Sequence, residues 1–519
     1  MEYDGIVADL NQNSPISRLV PDILIDIFQR VHNLHMNEWN PRNYGLLDIS
    51  HGRIALTRVC RRWRSISLNM PSLWRNITFS TPGWTQEMLL RSRPLSVDIH
   101  FNSDCHRDYG PGKRDLSELN ALAVESISRA RKLRLVDKVV DVIILSVTPA
   151  PLLEELHLSR LYPHLRHATR IVPPSIFDGK APRLQKLFLH ELTIHPASPI
   201  LFGLTFLEIR NGAGAAHHPL SEWLHALMYM PQLEHLHLGH ALSPGSQDPN
   251  FPMVTLSHLK TLGLGVLALS DCIEFTNHIS IPSATFVEVN IIEIQMNRPT
   301  PRNMIPSYAE RPIKALRITF MECGFSVDGE LDDSSSLKIS VIDYGDLMSE
   351  AAANNILPTL AHFNVRFVHD LTIHISELRL DWSPILSRFP SVNTLHVTGT
   401  SLDIFAIALA HSTSAGPVCP SLRRLGFQYE MPEIYDEHII HKDFFNILQR
   451  VVDTRKANGA VLEELIVFGE AVPQSEGAVD TTALGLRKVP DDYFFNRDRE
   501  SLSDRALLVE DIATESASL

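Results

Sequence analysis

This chain of 519 residues is poor in cysteine, in long apolar runs and in clustered positive charge, and each shortage excludes a class of protein. Its five cysteines, Cys60, Cys105, Cys272, Cys323 and Cys419, are an odd number with no CxxC pair, which argues against a disulfide framework or a zinc ribbon. No apolar run reaches the roughly 20 residues that a membrane-spanning helix needs. The formal net charge of −13 argues against a nucleic-acid partner, since phosphate binding requires clustered Lys and Arg.

Sequence signatures of catalysis and of metal binding are lacking as well. The chain has no GxSxG elbow, no HExxH and no cysteine–histidine ligand spacing. Among the 25 histidines, His235, His237 and His240 lie closest together, but only two of them would share a strand face. The His217 and His218 pair lies in a Gly/Ala-rich stretch, so we interpret it as solvated loop. The GAGAA run of that stretch lacks the GxGxxG spacing of a phosphate-binding loop. We therefore expect no enzyme, no cofactor and no metal.

The N-terminal stretch is acidic and lacks the basic and apolar regions of a secretory signal peptide. Together with the scattered cysteines, this pattern predicts a protein of the cytoplasm, the nucleus or both, without a membrane partner. Residues 1–14 are expected to be flexible.

The most specific pattern lies in residues 16–74. Pro21 can open a helix, because its φ angle is already helical and its missing N–H would have no partner there. An apolar stripe at helical spacing follows, formed by Ile23, Leu24, Ile27, Phe28 and Val31. Residues 32–52 are polar and contain Pro41, Gly45 and Gly52, which predicts a loop. Helical periodicity returns over residues 54–68, and Pro71 ends it.

Read in order, these residues give Leu-x-Pro, an Ile/Leu pair, Ile-Phe, Val-Cys-Arg-x-Trp and Leu-Trp. This order resembles the F-box, the module that docks ubiquitin-ligase subunits on a Skp-type adaptor, which in turn links to a cullin and a RING subunit. The polar insertion is longer than in a compact F-box and resembles the F-box-like variants of fungi. The resemblance implies that seven residues lie at or beneath the adaptor contact: Pro21, Leu24, Ile27, Phe28, Val59, Cys60 and Trp63. The alternative is a small helical bundle that buries these residues in its own core.

A second pattern, Pro-x-Leu-x-x-Leu-x-Leu, recurs from residue 151 onward. Clear copies begin at Pro151, Pro182, Pro231, Pro390 and Pro420, and looser copies begin at Leu204, Leu259, Ile313 and Leu462. The second leucine of the pattern falls at Leu156, Leu187, Leu207, Leu236, Leu262, Leu316, Leu395, Leu425 and Leu465. Most neighbouring copies are roughly 20–31 residues apart, which is close to the leucine-rich-repeat period.

The physical logic of this pattern is a stack of small units. Leu-x-Leu has the period of a strand, so the two leucines share one face and the residue between them takes the other. A single unit cannot bury its own apolar face, so units must stack, with helical segments such as residues 220–230 and 381–389 forming an outer layer. The pattern blurs between Leu316 and Leu395, where HISELRL ending at Leu380 is a poorer copy and residues 328–336 are predicted to form an acidic loop. An unrelated α/β domain is the alternative.

The residues between paired leucines would line the concave face, where repeat proteins usually bind partners. They form our candidate substrate face: His157, Phe188, Glu208, His237, Arg317 and His396. Ile466 occupies the equivalent position in the last copy. Mixed aromatic, imidazole and charged side chains suit protein recognition, although a solvated strand face would have a similar composition.

The predicted fold class is α/β, with an N-terminal helical F-box followed by an α/β leucine-rich-repeat solenoid with a parallel sheet. The predicted domains are a flexible N-terminus (1–14), an F-box-like helical domain (15–80), a connector and solenoid cap (81–130), the repeat solenoid (131–470) and an acidic, largely disordered tail (471–519). The resemblance implies a non-catalytic substrate-recognition subunit of an SCF-type cullin-RING ubiquitin ligase. Its partners would be a Skp-type adaptor, a cullin through that adaptor, and a protein substrate. The alternative is a non-ligase leucine-rich-repeat interaction scaffold.

Overall fold

The computed structural model describes residues 15–37, 48–102, 116–136, 148–160, 170–211, 218–243, 251, 253–266, 269–291, 311–321, 324–331, 335–342, 356–357, 359–375, 380–399, 402–410, 412–413, 416–429 and 442–468. The chain divides into two compact units: a first unit of Met1–Gly265 with His278–Pro282, and a second unit of Val266–Asn277 with Ser283–Leu519. Among the described helices, none combines the length and the apolar character that crossing a membrane requires.

The first unit opens with a helical region. Its helices are α1 (Pro21–Asn37), α2 (Asp48–Arg58) and α3 (Arg61–Leu68), with short 3-10 turns at Pro15–Arg18 and Pro71–Trp74. Further along the same unit lie α4 (Pro82–Arg91), α5 (Ser117–Ser126) and α6 (Leu220–Leu227), with 3-10 turns at Ile127–Arg129, Ile176–Gly179 and Pro199–Leu201.

The helical region differs from the prediction at three points. Helix α1 continues through His32 to Asn37, where we predicted a loop, because the His32 side chain is buried and its Nε2 lies 2.9 Å from Asn76 Nδ2. Residues 54–68 form two helices instead of one. Cys60 is extended (φ −157°, ψ 170°) and acts as the N-cap of α3, where its Sγ accepts the Trp63 N–H at 3.5 Å. The last residues of the predicted loop, 48–52, belong instead to α2, and residues 38–47 lie outside the described residues.

The main sheet of the first unit is parallel. Its strands, in spatial order, are β1 (Asn76–Thr78), β2 (Val97–Asn102), β3 (Ala130–Val136), β4 (Glu155–Ser159), β6 (Lys186–His190), β8 (Phe206–Arg210), β10 (His235–Gly239) and β13 (Thr261–Val266). Three short parallel pairs accompany it: β5 (Arg170–Val172) with β7 (Leu192–Ile194), β9 (His218–Pro219) with β11 (Leu242–Ser243), and β12 (Val254–Thr255) with β14 (Ile279–Ser280).

The recurring leucines of this unit lie side by side. Second leucines on neighbouring strands are register partners in the order Leu133, Leu156, Leu187, Leu207, Leu236 and Leu262. Each is at most 1% exposed, and full burial of one leucine stabilises a fold by about 1.5–3 kcal/mol. The copy at Leu133 was missed in the sequence because its strand lacks the preceding proline. The leucine stack therefore forms the core beneath the sheet.

The second unit contains helices α7 (Leu269–Asn277), α8 (Trp382–Leu386), α9 (Leu402–Ala410) and α10 (Lys442–Ala457), with a 3-10 turn at Val365–Phe367. In spatial order its main strands are β15 (Phe286–Ile291), β18 (Ser336–Ile342), β17 (Gly324–Leu331), β16 (Ile313–Met321), β19 (Asp370–Ile375), β20 (Thr394–Gly399), β23 (Arg424–Tyr429) and β24 (Glu464–Phe468). A small hairpin joins β21 (Ser412–Thr413) to β22 (Gly416–Pro417).

Strand β17 is antiparallel to both of its neighbours, whereas the other pairings among the described strands of this sheet are parallel. The prediction of an acidic loop over residues 328–336 is wrong at both ends, because Asp328 lies within β17 and Ser336 begins β18. Asp328 fits a strand because its register partners, Arg317 and Lys338, carry the opposite charge. The expected α/β fold is confirmed, and the sheet, which we predicted to be parallel, is mostly so, with β17 as the exception.

The poorer copy of the leucine pattern, predicted to end at Leu380, lies earlier in the chain than predicted. The strand is Asp370–Ile375, and its Leu371 is the register partner of Leu316 and of Leu395. Leu380, which we had assigned to the poorer copy, is buried just before α8 instead.

Candidate interaction surfaces

The seven residues of the F-box-like pattern divide into buried and accessible side chains. Leu24 and Phe28 are 0% exposed. Ile27, Cys60 and Trp63 are half-buried, and Pro21 is exposed. Val59, at the break between α2 and α3, is 54% exposed. The pattern thus contains both the packing of the helical region and part of its surface.

Aromatic packing joins the first and third helices. The Phe28 ring lies 4.8 Å from the Trp63 ring, between centroids. Trp74, in the turn after α3, is buried, and its Nε1 donates to the Ser67 carbonyl oxygen at 2.8 Å. The Arg62 guanidinium donates to the Leu19 carbonyl oxygen, which ties the segment before α1 to α3. Leu24 and Phe28 are therefore core residues, and changing them would alter folding as well as any surface.

Accessible apolar side chains lie at the start of α1 and immediately before it. Val20 and Ile23 are 57% and 48% exposed, and Ile27 is half-buried. Ile23 and Ile27, four residues apart, lie on one side of the helix, and Val20 immediately precedes the helix, where its carbonyl oxygen accepts the Leu24 N–H at 3.3 Å. We call Val20, Ile23 and Ile27 the N-terminal apolar surface. Val20 was missed in the sequence, although its spacing from Ile23 could have indicated it.

The polar face of the first unit's sheet brings four predicted residues together. His157, Phe188, Glu208 and His237 are successive register partners on β4, β6, β8 and β10. Beyond His157 the same row continues to Arg134 on β3, which was not predicted as a site residue. The alternation of buried leucine and outward residue therefore predicted this row.

The second unit contains the remaining two predicted residues on one row of its own sheet. Arg317 on β16 and His396 on β20 are separated by Thr372 on the intervening strand β19. The His396 ring leans over the next strand, where a Cβ on Gly426 would come within 2.9 Å of its Cδ2. Only a glycine at that position accommodates the ring without movement.

Aromatic rings form a ladder across four strands of the first unit. The His157 and Phe188 rings are stacked, 3.7 Å apart between centroids with 9° between planes. Phe188 lies 4.5 Å from Phe206, and Phe206 lies 5.1 Å from His235. We call these four residues the ring ladder. Only His157 and Phe188 were predicted for this face, because Phe206 and His235 lie two residues before Glu208 and His237 on the same face of their strands.

Two ionised carboxylates border the ring ladder. Burial opposes the charge on Glu155, but the hydrogen bond from His157 (2.9 Å) and the Lys132 ammonium (2.7 Å) outweigh it and lower the pKa of Glu155 to about 2. Burial also opposes the charge on Glu208, whose pKa is nevertheless lowered to about 2 by a hydrogen bond from His190 and by the charge of Arg210.

His237 is a neutral histidine held against the sheet. Burial lowers its pKa to about 4; the charge of Arg210 also lowers it, and that of Glu208 opposes the shift. The ring lies where a side chain on Gly263 would otherwise stand, since a Cβ there would fall 2.0 Å from His237 Nδ1. At neutral pH this face therefore presents uncharged imidazole and phenyl rings between compensated ion pairs, which suits stacking and hydrogen bonding to a partner.

The buried histidine predicts a pH dependence of stability. Between pH 6.5 and pH 4 the unfolded chain protonates this side chain while folded His237 stays neutral, so the free energy of unfolding falls as the pH falls through that window. His237→Gln should flatten the pH dependence of the urea midpoint there, and the exposed His258→Gln should leave it unchanged. If the urea midpoint depends on pH with the same slope in wild type and in His237→Gln, then His237 is not the buried, neutral histidine described above.

No protein-family model matches this chain, and no curated protein matches it.

Proposed function

We propose that this chain is the substrate-recognition subunit of an SCF-type cullin-RING ubiquitin ligase. In this proposal the helical region is an F-box-like module that docks on a Skp-type adaptor, and the sheet with its outer helices is a leucine-rich-repeat solenoid that binds a protein substrate. The chain itself carries out no catalysis. The observation that carries the proposal is the N-terminal apolar surface, with Val20 57% and Ile23 48% exposed immediately beside the buried Leu24.

An apolar row on one side of a helix is what helix-in-groove recognition uses. Aliphatic anchors at spacings of three and four residues enter a desolvated groove, and a few of them dominate the binding free energy. Folding alone does not account for Val20 and Ile23, because the core contact of α1 is made by Leu24 and Phe28 on the neighbouring side. The F-box resemblance supplies the identity of the groove, and the exposure of these side chains supports it.

The polar sheet face of the first unit supports the substrate-binding part of the proposal. The ring ladder offers flat apolar surfaces, and Glu155 and Glu208 on its borders remain ionised acceptors. A substrate held there and an adaptor held at α1 would be tethered to one chain, which converts a bimolecular ubiquitin transfer into an effectively intramolecular one.

Co-purification tests the proposal and distinguishes it from a non-ligase scaffold. Tagged wild-type chain expressed in a eukaryotic cell should recover both the Skp-type adaptor and a cullin. Val20→Lys with Ile23→Lys should abolish recovery of both, because two charges in an apolar groove are strongly unfavourable. The control is Leu90→Lys, an equally exposed residue (61%) of α4.

Two results would contradict the ligase assignment. Recovery of the adaptor without a cullin would favour the scaffold alternative. Recovery of the adaptor by the double variant at the wild-type level would mean that the start of α1 does not contact the adaptor. Leu24→Ala is unsuitable for this test, since Leu24 is 0% exposed and its loss would disturb the fold itself.

A further inference from the structure

We propose that His195, His218 and Glu222 bind one divalent transition-metal ion, of which Zn²⁺ is the natural probe. All three belong to the first unit: His195 directly follows β7, His218 lies in β9, and Glu222 is in the first turn of α6. Their ligand atoms lie within 4.8 Å of one another. The inference does not depend on the ubiquitin-ligase proposal.

The two distances to the Glu222 carboxylate fit a shared metal better than direct hydrogen bonds. Glu222 Oε2 lies 3.4 Å from His218 Nδ1 and 3.7 Å from His195 Nε2. Hydrogen bonds between nitrogen and oxygen are about 2.7–3.2 Å long, so both separations are too long for good ones. Zn²⁺ bonds of about 2.0–2.2 Å in a tetrahedron place neighbouring ligand atoms about 3.3–3.6 Å apart.

The carboxylate oxygen at the centre of the cluster needs a partner. Glu222 Oε2 is enclosed by protein and accepts no hydrogen bond, a costly state for an ionised acceptor. Its place in the first turn of α6 favours the negative charge, because the helix dipole is positive at that end. A cation between the carboxylate and the two rings would satisfy this oxygen.

The scaffold holds two of the three ligands firmly. The His218 N–H donates to the Ala241 carbonyl oxygen at 3.2 Å, and Leu242 is the register partner of His218 in the β9–β11 pair. Trp223, the neighbour of Glu222, is 0% exposed and donates its Nε1 proton to the same Ala241 oxygen at 3.2 Å. One carbonyl therefore fixes both the strand and the helix that supply these ligands.

The third ligand, His195, is the adjustable one. Its Nδ1 accepts the Ala197 N–H at 3.1 Å, which places the ring proton on Nε2. A metal on Nε2 moves that proton to Nδ1, and the ring gives up the exposed bond to Ala197, a small loss compared with a metal–nitrogen bond. The His195 side chain is 48% exposed, so solvent can reach the site and water can complete the coordination.

A cobalt titration of the full-length chain tests the site, because tetrahedral Co²⁺ has visible absorption bands and Zn²⁺ can then displace it. Wild type should bind one equivalent. Glu222→Gln and His195→Ala should each weaken binding by more than the roughly 10–100-fold that loss of an outer-shell partner costs. The control is His225→Ala, an exposed histidine of α6 whose ring faces Phe251 instead of the cluster. Saturating Zn²⁺ should also raise the melting temperature of wild type and not of Glu222→Gln.

A second substitution separates metal binding from folding. Glu222→His supplies a third imidazole and should retain the cobalt spectrum, whereas Glu222→Gln should lose it at unchanged circular dichroism. The proposal is overturned if wild type shows no saturable cobalt band, or if Glu222→Gln binds as tightly as wild type. If His195→Ala does not fold, the two Glu222 variants decide the question alone.

Discussion

Phe28→Ala is expected to lower the free energy of unfolding of the helical region by about 3–5 kcal/mol. The side chain is 0% exposed, and its ring packs 4.8 Å from that of Trp63, so truncation leaves a cavity between α1 and α3. Neither helix can close that cavity freely, because the Arg62 side chain holds the segment before α1 and the Trp74 side chain holds the end of α3. Such a loss is a large share of the stability of a small helical region.

Urea unfolding followed by tryptophan fluorescence measures this effect, since Trp63 and Trp74 report on the region. The matched control is Ile23→Ala in the same helix, which is 48% exposed and should change the free energy of unfolding by only about 0.5 kcal/mol. If Phe28→Ala unfolds at the same urea concentration as Ile23→Ala, the burial of Phe28 is wrong. Comparing Phe28→Ala with Ile23→Ala also shows whether adaptor binding is lost because the helical region unfolds or because its surface has changed.

Gly399→Ala is expected to destabilise the second unit by roughly 2–6 kcal/mol, combining a backbone strain of about 1–3 kcal/mol with an overpacking cost of about 1–3 kcal/mol. Gly399 ends β20 with φ +133°, a conformation that residues with a Cβ rarely adopt. An added Cβ would also lie 1.9 Å from the Ile375 carbonyl oxygen. That oxygen belongs to the backbone of β19, the neighbouring strand, so it cannot move without disturbing the strand pairing.

The matched control for this prediction is Gly416→Ala. Gly416 has a similar φ of +116°, but an added Cβ there meets nothing within 4 Å. Gly416→Ala should therefore introduce the backbone strain without the steric clash and lower the free energy of unfolding by about 1–3 kcal/mol. Thermal unfolding of the two full-length variants compares them directly. Equal melting temperatures would mean that the close approach of β19 and β20 at Gly399 is incorrect.

The core of both sheets could be predicted from the sequence because it follows from a strict two-residue period. Each predicted second leucine, such as Leu156 or Leu425, lies buried in a strand, since one residue of slip would turn the whole apolar row toward solvent. The outward row followed from the same reasoning. His157, Phe188, Glu208 and His237 became neighbours once their leucines were aligned.

The structure differs from the predictions where local sequence signals compete with tertiary packing. A polar stretch containing His32 reads as a loop, yet burial of that ring beside Asn76 extends α1. Asp328 reads as an acidic loop residue until Arg317 and Lys338 are placed on either side of it. In both cases the deciding partner is distant in sequence, so no local pattern could reveal it.

The candidate sites show the same limit. Exposure of Val20 depends on which side of α1 packs against α3, which spacing alone does not determine. For the metal cluster, the four-residue spacing of His218 and Glu222 was visible, but His195 is brought close only by the folding of β7 and β9. Periodicity thus predicts faces, whereas sites assembled from separate segments require the structure.

The most direct test of the ubiquitin-ligase account is the dissociation constant between the purified full-length chain and a purified Skp-type adaptor, measured by calorimetry. A substrate-recognition subunit should bind the adaptor with a dissociation constant of about 1 μM or tighter, weakened at least roughly 100-fold by Val20→Lys with Ile23→Lys and unchanged by Leu90→Lys. The ubiquitin-ligase proposal is wrong if the folded wild-type chain does not bind the adaptor, or if the double variant binds it as wild type does.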